Sequence, residues 1–212
     1  MSRLTLVVAA IFGLTIPVVG QWPAGSEPHP LRYFTNKPRV AGAKAKVQEV
    51  ATLAGYRILD VLYWLDDEAK AKSILVQVGP DQYREIYYLE GIRPVTESRI
   101  GGWGSDNVLI TMDSDGGNAG GCIEEYWWFD QAGPHVLDFS RLIAAIAAKV
   151  APDGAYRITC GNIDFDKGEA HGWVKQAGAD CHACGWIGQV TARFEMNRWV
   201  VEPIEVTYTK DQ

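Results

Sequence analysis

The sequence predicts a mainly β fold of the α+β kind: an antiparallel twisted sheet or sandwich-like meander with one packed amphipathic helix at about 139–150. Three observations predict it. Period-two runs of β-branched and aromatic residues recur from Tyr56 to Thr209, turn-forming Gly, Pro, Asn and Asp separate them at short intervals, and a single stretch carries the helical period. No fixed-period repeat and no low-complexity tract interrupts this pattern.

Residues 1–20 read as an export signal. Arg3 supplies the positive start, Leu4 to Ile16 the apolar core, and Pro17-Val18-Val19-Gly20 a breaker followed by small residues at −3 and −1. Cleavage after Gly20 would leave Gln21 as the mature start. The competing reading, a membrane anchor over residues 4–19, is short against the roughly 20 apolar residues that a spanning helix needs. No cysteine stands near Gly20 to carry a lipid, and no second apolar run is long enough to span. The membrane is therefore expected to be met only through the export signal, and the mature chain outside the cytoplasm, periplasmic or extracellular.

Losing residues 1–20 takes Lys+Arg from 20 to 19 against 26 acids, and the net charge from −6 to −7. An acidic chain argues against a nucleic-acid partner, which calls for a basic face. Residues 21–43 hold Pro23, Pro28, Pro30 and Pro38, which are expected to break any regular element, and read as a linker or strapped-down arm. Residues 44–212 then form one β-rich domain of ordinary size.

Within that domain, 44–55 fits helix or strand, with strand preferred. From Tyr56 the pattern clears: Leu59, Val61, Tyr63 and Leu65 give a strand with one strongly apolar face. Ile74, Val76 and Val78 form the next, and Gly79-Pro80-Asp81 turns the chain into Tyr83 to Leu89. Val108 to Met112 and Cys122 to Phe129 follow, separated by the Asp113 to Gly121 loop. Leu142, Ile143, Ile146, Ala147 and Val150 make the helical stripe, which Asp138 or Ser140 can cap and Pro152-Asp153-Gly154 stops. Trp186, Val190, Ala192, Phe194 and Met196 alternate with polar residues, and Trp199 to Thr209 returns as partner. Its apolar parity breaks near Glu202-Pro203, where one extra residue would restore a single buried face.

The four cysteines, Cys122, Cys160, Cys181 and Cys184, read as disulfide candidates, since an even count in an exported chain is usually a disulfide framework. All three pairings stay open. Cys181 and Cys184 can join only across a turn, because three extended steps separate Cα atoms by about 10 Å against a limit of about 7 Å. A zinc site from Cys181, Cys184, Cys160 and His171 is the alternative, but a second C-x-x-C pair is missing. Asp113, Asp115 and Glu124 partly match a calcium loop, which fails at Gly117 and Asn118; Asn162, Asp164 and Asp166 form a second alternating run that reads as a solvated turn. No metal and no cofactor is expected.

Cys122 to Phe129 is the most unusual strand, with Tyr126 and Trp128 on one side and Trp127 and Phe129 on the other. If one aromatic side stands exposed, Tyr126 and Trp128, extended by Trp103, form a ligand platform suited to a carbohydrate or small molecule. Glu124 and Glu125 are the carboxylates that burial could turn toward general-acid use, but adjacent strand residues face opposite sides, so a glycosidase would need Asp113 or Asp130 brought near. His135 and His171 are unpaired in sequence, and no nucleophile elbow, H-E-x-x-H helix or phosphate loop is present. No catalytic residue is assigned. The expectation is an exported, non-catalytic binding or structural module, with a carbohydrate-active hydrolase using Glu125 or Glu124, or a zinc- or calcium-binding domain, as alternatives.

Overall fold

The computed structural model describes residues 22–23, 26–91, 95–101, 108–113, 123–151, 153–176 and 185–211. The candidate signal, Trp103, the calcium-like loop from 114 to 122 and the C-x-x-C segment lie outside them.

Among the described residues, strands alternate with tight turns to build three antiparallel sheets of four strands each. The first holds β1 (Lys44–Leu53), β2 (Tyr56–Leu65), β3 (Glu68–Gly79) and β4 (Gln82–Glu90). The second holds β5 (Arg99–Gly101), β6 (Val108–Asp113), β7 (Ile123–Asp130) and β8 (Gly133–Val136). The third holds β9 (Gly154–Asp164), β10 (Glu169–Gln176), β11 (Trp186–Asn197) and β12 (Val200–Lys210). Every sheet is a meander in which each strand pairs with its neighbour in the chain. Ala54-Gly55 and Asp66-Asp67 are two-residue loops in the left-handed conformation that matches strand twist, which is why Asp and Gly sit there.

The three meanders are stacked. Leu109, Trp127 and Phe129 of the second sheet share a core with Ile58, Ile74, Val76 and Ile86 of the first. On its other face, Val108 and Tyr126 share a core with Val174, Val190, Ala192 and Phe194 of the third sheet and with α2 (Ser140–Val150). A middle layer buried on both sides needs apolar residues at both parities, and this explains the aromatic run of β7. The β-rich class with a packed helix predicted from the sequence is thus the observed one.

The outer face of the first sheet is covered as well. Pro30 precedes a short helix, α1 (Leu31–Asn36), whose Phe34 packs on Leu59, Val61, Tyr63 and Leu75. The proline-rich arm was expected to hold no regular element. It holds this one because Pro is tolerated at a helix start, where its missing N–H costs nothing, and because the Asp81 carboxylate accepts the Leu31 N–H at 3.1 Å. His29 and Tyr83 exchange both backbone bonds, while Trp22, further up the arm, meets Tyr56 edge-on at 6.1 Å against the inner core shared with the second sheet. With that cover in place, Ile58 through Tyr63 of β2 are all buried, so the single apolar face expected there is in fact two.

Two further expectations are corrected. On α2 only Leu142, Ile146 and Val150 are buried, while Ile143 and Ala147 face solvent, since one sheet accepts only a narrow stripe. The N-cap position is held by Phe139, which supplies no side-chain cap; Asp138, one place earlier, accepts the Ser140 N–H on its Oδ1 at 2.9 Å. The other correction concerns Trp186, grouped by alternation with the buried Val190 and Phe194. Val174 pairs with Gly188 but Lys175 pairs with Trp186, leaving Ile187 as an extra residue that flips Trp186 to the opposite face. The bulge expected in β12 lies where the parity broke: Arg193 pairs with Glu205 and Phe194 with Pro203, with Ile204 between.

Candidate functional site

The outer face of the third sheet differs from the other layers because no described residue packs over it. Successive rows cross it from strand to strand. Trp173 of β10 pairs with Arg157 of β9 and with Gln189 of β11, which pairs with Thr209 of β12; His171, Thr191 and Thr207 form the next row. Lys175 and Trp186 form the row on the other side. Trp173 is 38% exposed although it sits on an interior strand. Its ring lies 6.1 Å from that of Trp186, with the planes tilted by 57°. The Lys175 ammonium lies over the Trp186 ring, 5.9 Å from its centroid, on a side chain that is itself buried.

Toward β11 and β12 the pair is flanked by Gln189, Thr191, Thr207 and Thr209. The exposed His171 Nδ1 and Thr191 hydroxyl lie 3.2 Å apart, and the Thr207 hydroxyl donates to the Thr191 carbonyl. At the far end of the face the His171 ring lies 3.5 Å from the Glu169 carboxylate, and Arg193 pairs with Glu205 at 3.6 Å. Gly188 supports the surface from beneath: a Cβ there would stand 2.4 Å from the Thr209 carbonyl oxygen, so only glycine allows the β11 and β12 backbones to close under it.

Three polar centres elsewhere hold the layers together. Asp60 and Lys72, both 0% exposed, lie on the inner face of the first sheet. Asp60 accepts the Ser98 N–H at 2.6 Å and the Ser98 hydroxyl at 2.7 Å, and Lys72 Nζ donates to the Thr96 carbonyl at 2.9 Å. Burial raises the Asp60 pKa, while the Ser98 bonds and the Lys72 charge oppose the rise. Together the two charged side chains pin the segment leading into β5. On the opposite face, Ser73 donates to Glu85 at 2.6 Å and lies 3.2 Å from the Tyr63 hydroxyl, while Arg39 of the arm reaches Glu85 at 2.5 Å. Arg39 also lies over the Tyr88 ring at 4.2 Å, and burial together with the Glu90 carboxylate pushes the Tyr88 pKa up to about 12.

The third centre joins the second and third sheets. His135, 4% exposed, stacks flat on Trp199 at 4.1 Å, and its Nε2 lies 3.2 Å from Asp130 Oδ1. Backbone bonds from Asp138 N–H to the Trp199 carbonyl and from Val201 N–H to the Asp138 carbonyl complete the seam. Asp130 is thus the partner of His135, brought to it by the tight β7–β8 hairpin.

Of the residues singled out from the sequence, Tyr126 is only 8% exposed and packs between Phe139 and Phe165, and Trp128 is partly buried against the same core. Tyr126 therefore has little surface for a platform, and Trp103 lies outside the described residues. Cys122, Cys181 and Cys184 lie outside them as well, and Cys160 falls on the β9 backbone, so the structure does not reach the disulfide and zinc expectations. Glu125 is half-buried on the same side of β7 as Trp127, and burial raises its pKa. The Trp127 indole opposes that rise but falls short of hydrogen-bond geometry, which leaves its N–H buried without a partner among the described residues. Asp164 is occupied by Lys167, accepting its N–H at 3.0 Å and its ammonium at 2.7 Å, as a solvated turn requires. Among the described residues, no three of His, Cys, Asp and Glu gather as a metal site would need, and no helix is long and apolar enough to cross a membrane.

The Trp173 and Trp186 pair was missed because alternation assigned Trp186 to the core; only the extra Ile187 brings the two rings to one side. No family model matches this chain, and comparison with curated proteins and with solved structures finds no match.

Proposed function

We propose that the protein is a non-catalytic binding module that works outside the cytoplasm and uses the outer face of its third sheet as the working surface. One observation carries the reading: no described residue packs over this broad sheet face, and it leaves a large aromatic side chain 38% exposed on an interior strand. Solvating a tryptophan there forgoes burial of its apolar surface, about 25 cal/mol for each Å² left wet, and a bound partner would recover that loss. The export signal read in residues 1–20 supports the location.

The test uses the full chain exported by a host. Intact mass is expected to match a Gln21 start, and the purified protein is expected to co-sediment with cell-envelope material of the producing organism. A Trp173→Ala/Trp186→Ala variant that keeps its near-ultraviolet circular dichroism is expected to stay in the supernatant. Equal retention of both proteins, or retention of neither, would remove this face as the working surface.

A second reading is hydrolysis of a carbohydrate with Glu125 as general acid, favoured by the burial that raises its pKa. Release of reducing ends from polysaccharide that is abolished by Glu125→Gln would establish it in place of the first.

A further inference from the structure

We infer that the ligand of this face is a single chain of a neutral polysaccharide, held with its sugar rings against Trp173 and Trp186. The inference rests on the binding-module reading and names its ligand class.

The chemistry of the face selects among ligands. A pyranose has an apolar C–H surface above and below its ring and hydroxyl groups around the rim. Tryptophan offers the matching flat apolar face with a negative π cloud toward those C–H groups. Rim hydroxyls need short side chains that both donate and accept, and Gln189, His171, Thr191 and Thr209 stand in the adjoining positions. A protein partner would look for a fully buried apolar centre larger than two rings, and the positions flanking this pair on β11 and β12 are polar.

Charge complementarity argues in the same direction. Lys175 is buried against Trp186 rather than presented to solvent, and at the far end Arg193 is matched with Glu205. A polyanion such as a nucleic acid would find stacking rings but no exposed basic track among the described side chains of this face, on a chain of net charge −6. An uncharged hydroxyl-rich chain has no need of such a track.

Ring orientation narrows the form of the ligand. Two coplanar rings would suit the flat surface of a crystalline polysaccharide. The 57° tilt instead makes a shallow corner, which fits an isolated chain whose consecutive sugars are rotated about the glycosidic bonds.

Isothermal titration of the full-length protein with the hexaoses of β-1,4-linked glucose, N-acetylglucosamine, xylose and mannose tests the inference. An oligogalacturonate serves as the anionic arm, and microcrystalline cellulose as the crystalline one. At least one neutral hexaose is expected to bind. Trp173→Ala and Trp186→Ala are each expected to weaken it about tenfold or more, a hot-spot loss of about 1.4 kcal/mol, and Trp173→Phe to weaken it less. Gln189→Ala, at an exposed position that leaves the rings in place, is expected to weaken it severalfold and guards against a tryptophan variant that misfolds. Glu205→Gln, at the far end, is expected to change nothing.

Binding confined to the oligogalacturonate or to crystalline cellulose would overturn the ligand assignment, as would failure of all four hexaoses or affinity indifferent to Trp173 and Gln189. If envelope retention still depends on Trp173 and Trp186 in those cases, the working surface stands and only the ligand class falls. If retention too is indifferent to them, both readings fall.

Discussion

Asp60→Ala is expected to cost the fold about 3–5 kcal/mol, and the structure shows where that figure comes from. The substitution removes two short bonds from Ser98, at 2.6 and 2.7 Å, each of a kind worth about 1.5–3 kcal/mol when the acceptor is charged. It also leaves the fully buried Lys72 ammonium without that carboxylate, and breaking a buried pair from one side costs about 3–5 kcal/mol. Opposing both is the cost of burying the carboxylate, visible in the raised pKa of Asp60, so the bond energies do not simply add. Urea unfolding followed by tryptophan fluorescence reads the loss. With a slope near 2 kcal/mol per molar, within the usual range of about 1–3, the midpoint is expected to fall by about 2 M. Ser98→Ala, which keeps the backbone N–H bond, is expected to lose about 1–2 kcal/mol. Asp60→Ala/Lys72→Met removes both charges and is expected to be more stable than Asp60→Ala alone. A cost below about 1 kcal/mol for Asp60→Ala, or a double variant as weak as the two single losses added together, would refute the account of a coupled buried pair.

Three further outcomes can be checked with the same apparatus. Gly188→Ala, whose Cβ would stand 2.4 Å from the Thr209 carbonyl oxygen and 2.7 Å from the Tyr208 ring, is expected to destabilise by about 1–3 kcal/mol, as overpacking does; an unchanged urea midpoint would contradict the close approach. His135→Ala is expected to cost about 2–3 kcal/mol through lost burial, stacking and the Asp130 bond, whereas His135→Phe, which keeps the stack on Trp199, is expected to recover more than half of it. Hydrogen bonds from Ser140, Lys210 and Lys167 hold the carboxyls of Asp138, Asp153 and Asp164 below the ordinary aspartate range. Their stabilisation is therefore complete above a pH of about 4 and lost as pH falls through the depressed values. The triple Asn variant is expected to show a shallower acid limb in stability against pH; an unchanged limb would disprove the assignment.

Strand positions were legible where one face of a sheet is buried and the other wet, as in Val190 to Met196 of β11, because a period of two then maps directly onto burial. Parity also revealed the bulge beside Pro203, since an extra residue leaves a phase break on an otherwise regular strand. It misled at Trp186, where the extra residue lies near the strand end and too few positions precede it to show a break. In β2 and β7 burial on both faces erased alternation altogether, and what covers each face is decided by contacts between sheets far apart in the chain. The helix after Pro30 was hidden for a related reason: six residues carry almost no periodic signal, and its stability comes from Phe34 seated on the first sheet. The outer face of the third sheet was hidden for the same cause, as sequence marks which residues are apolar but not which sheet face no described residue covers.

Since all strand pairs in the three sheets join consecutive segments, hydrogen-bonded structure can grow along this chain by closing one short loop at a time. Sheet proteins usually fold slowly because distant strands must find each other before any bond rewards the search. Here the long-range work lies in laying finished meanders face to face and in closing the His29–Tyr83 and Asp138–Val200 bridges, so strand pairing within each sheet and layer docking are separable events. Interruption of folding after the first or second sheet would leave a paired meander with one apolar face bare, and the species most prone to aggregate is that half-stacked one rather than the unfolded chain.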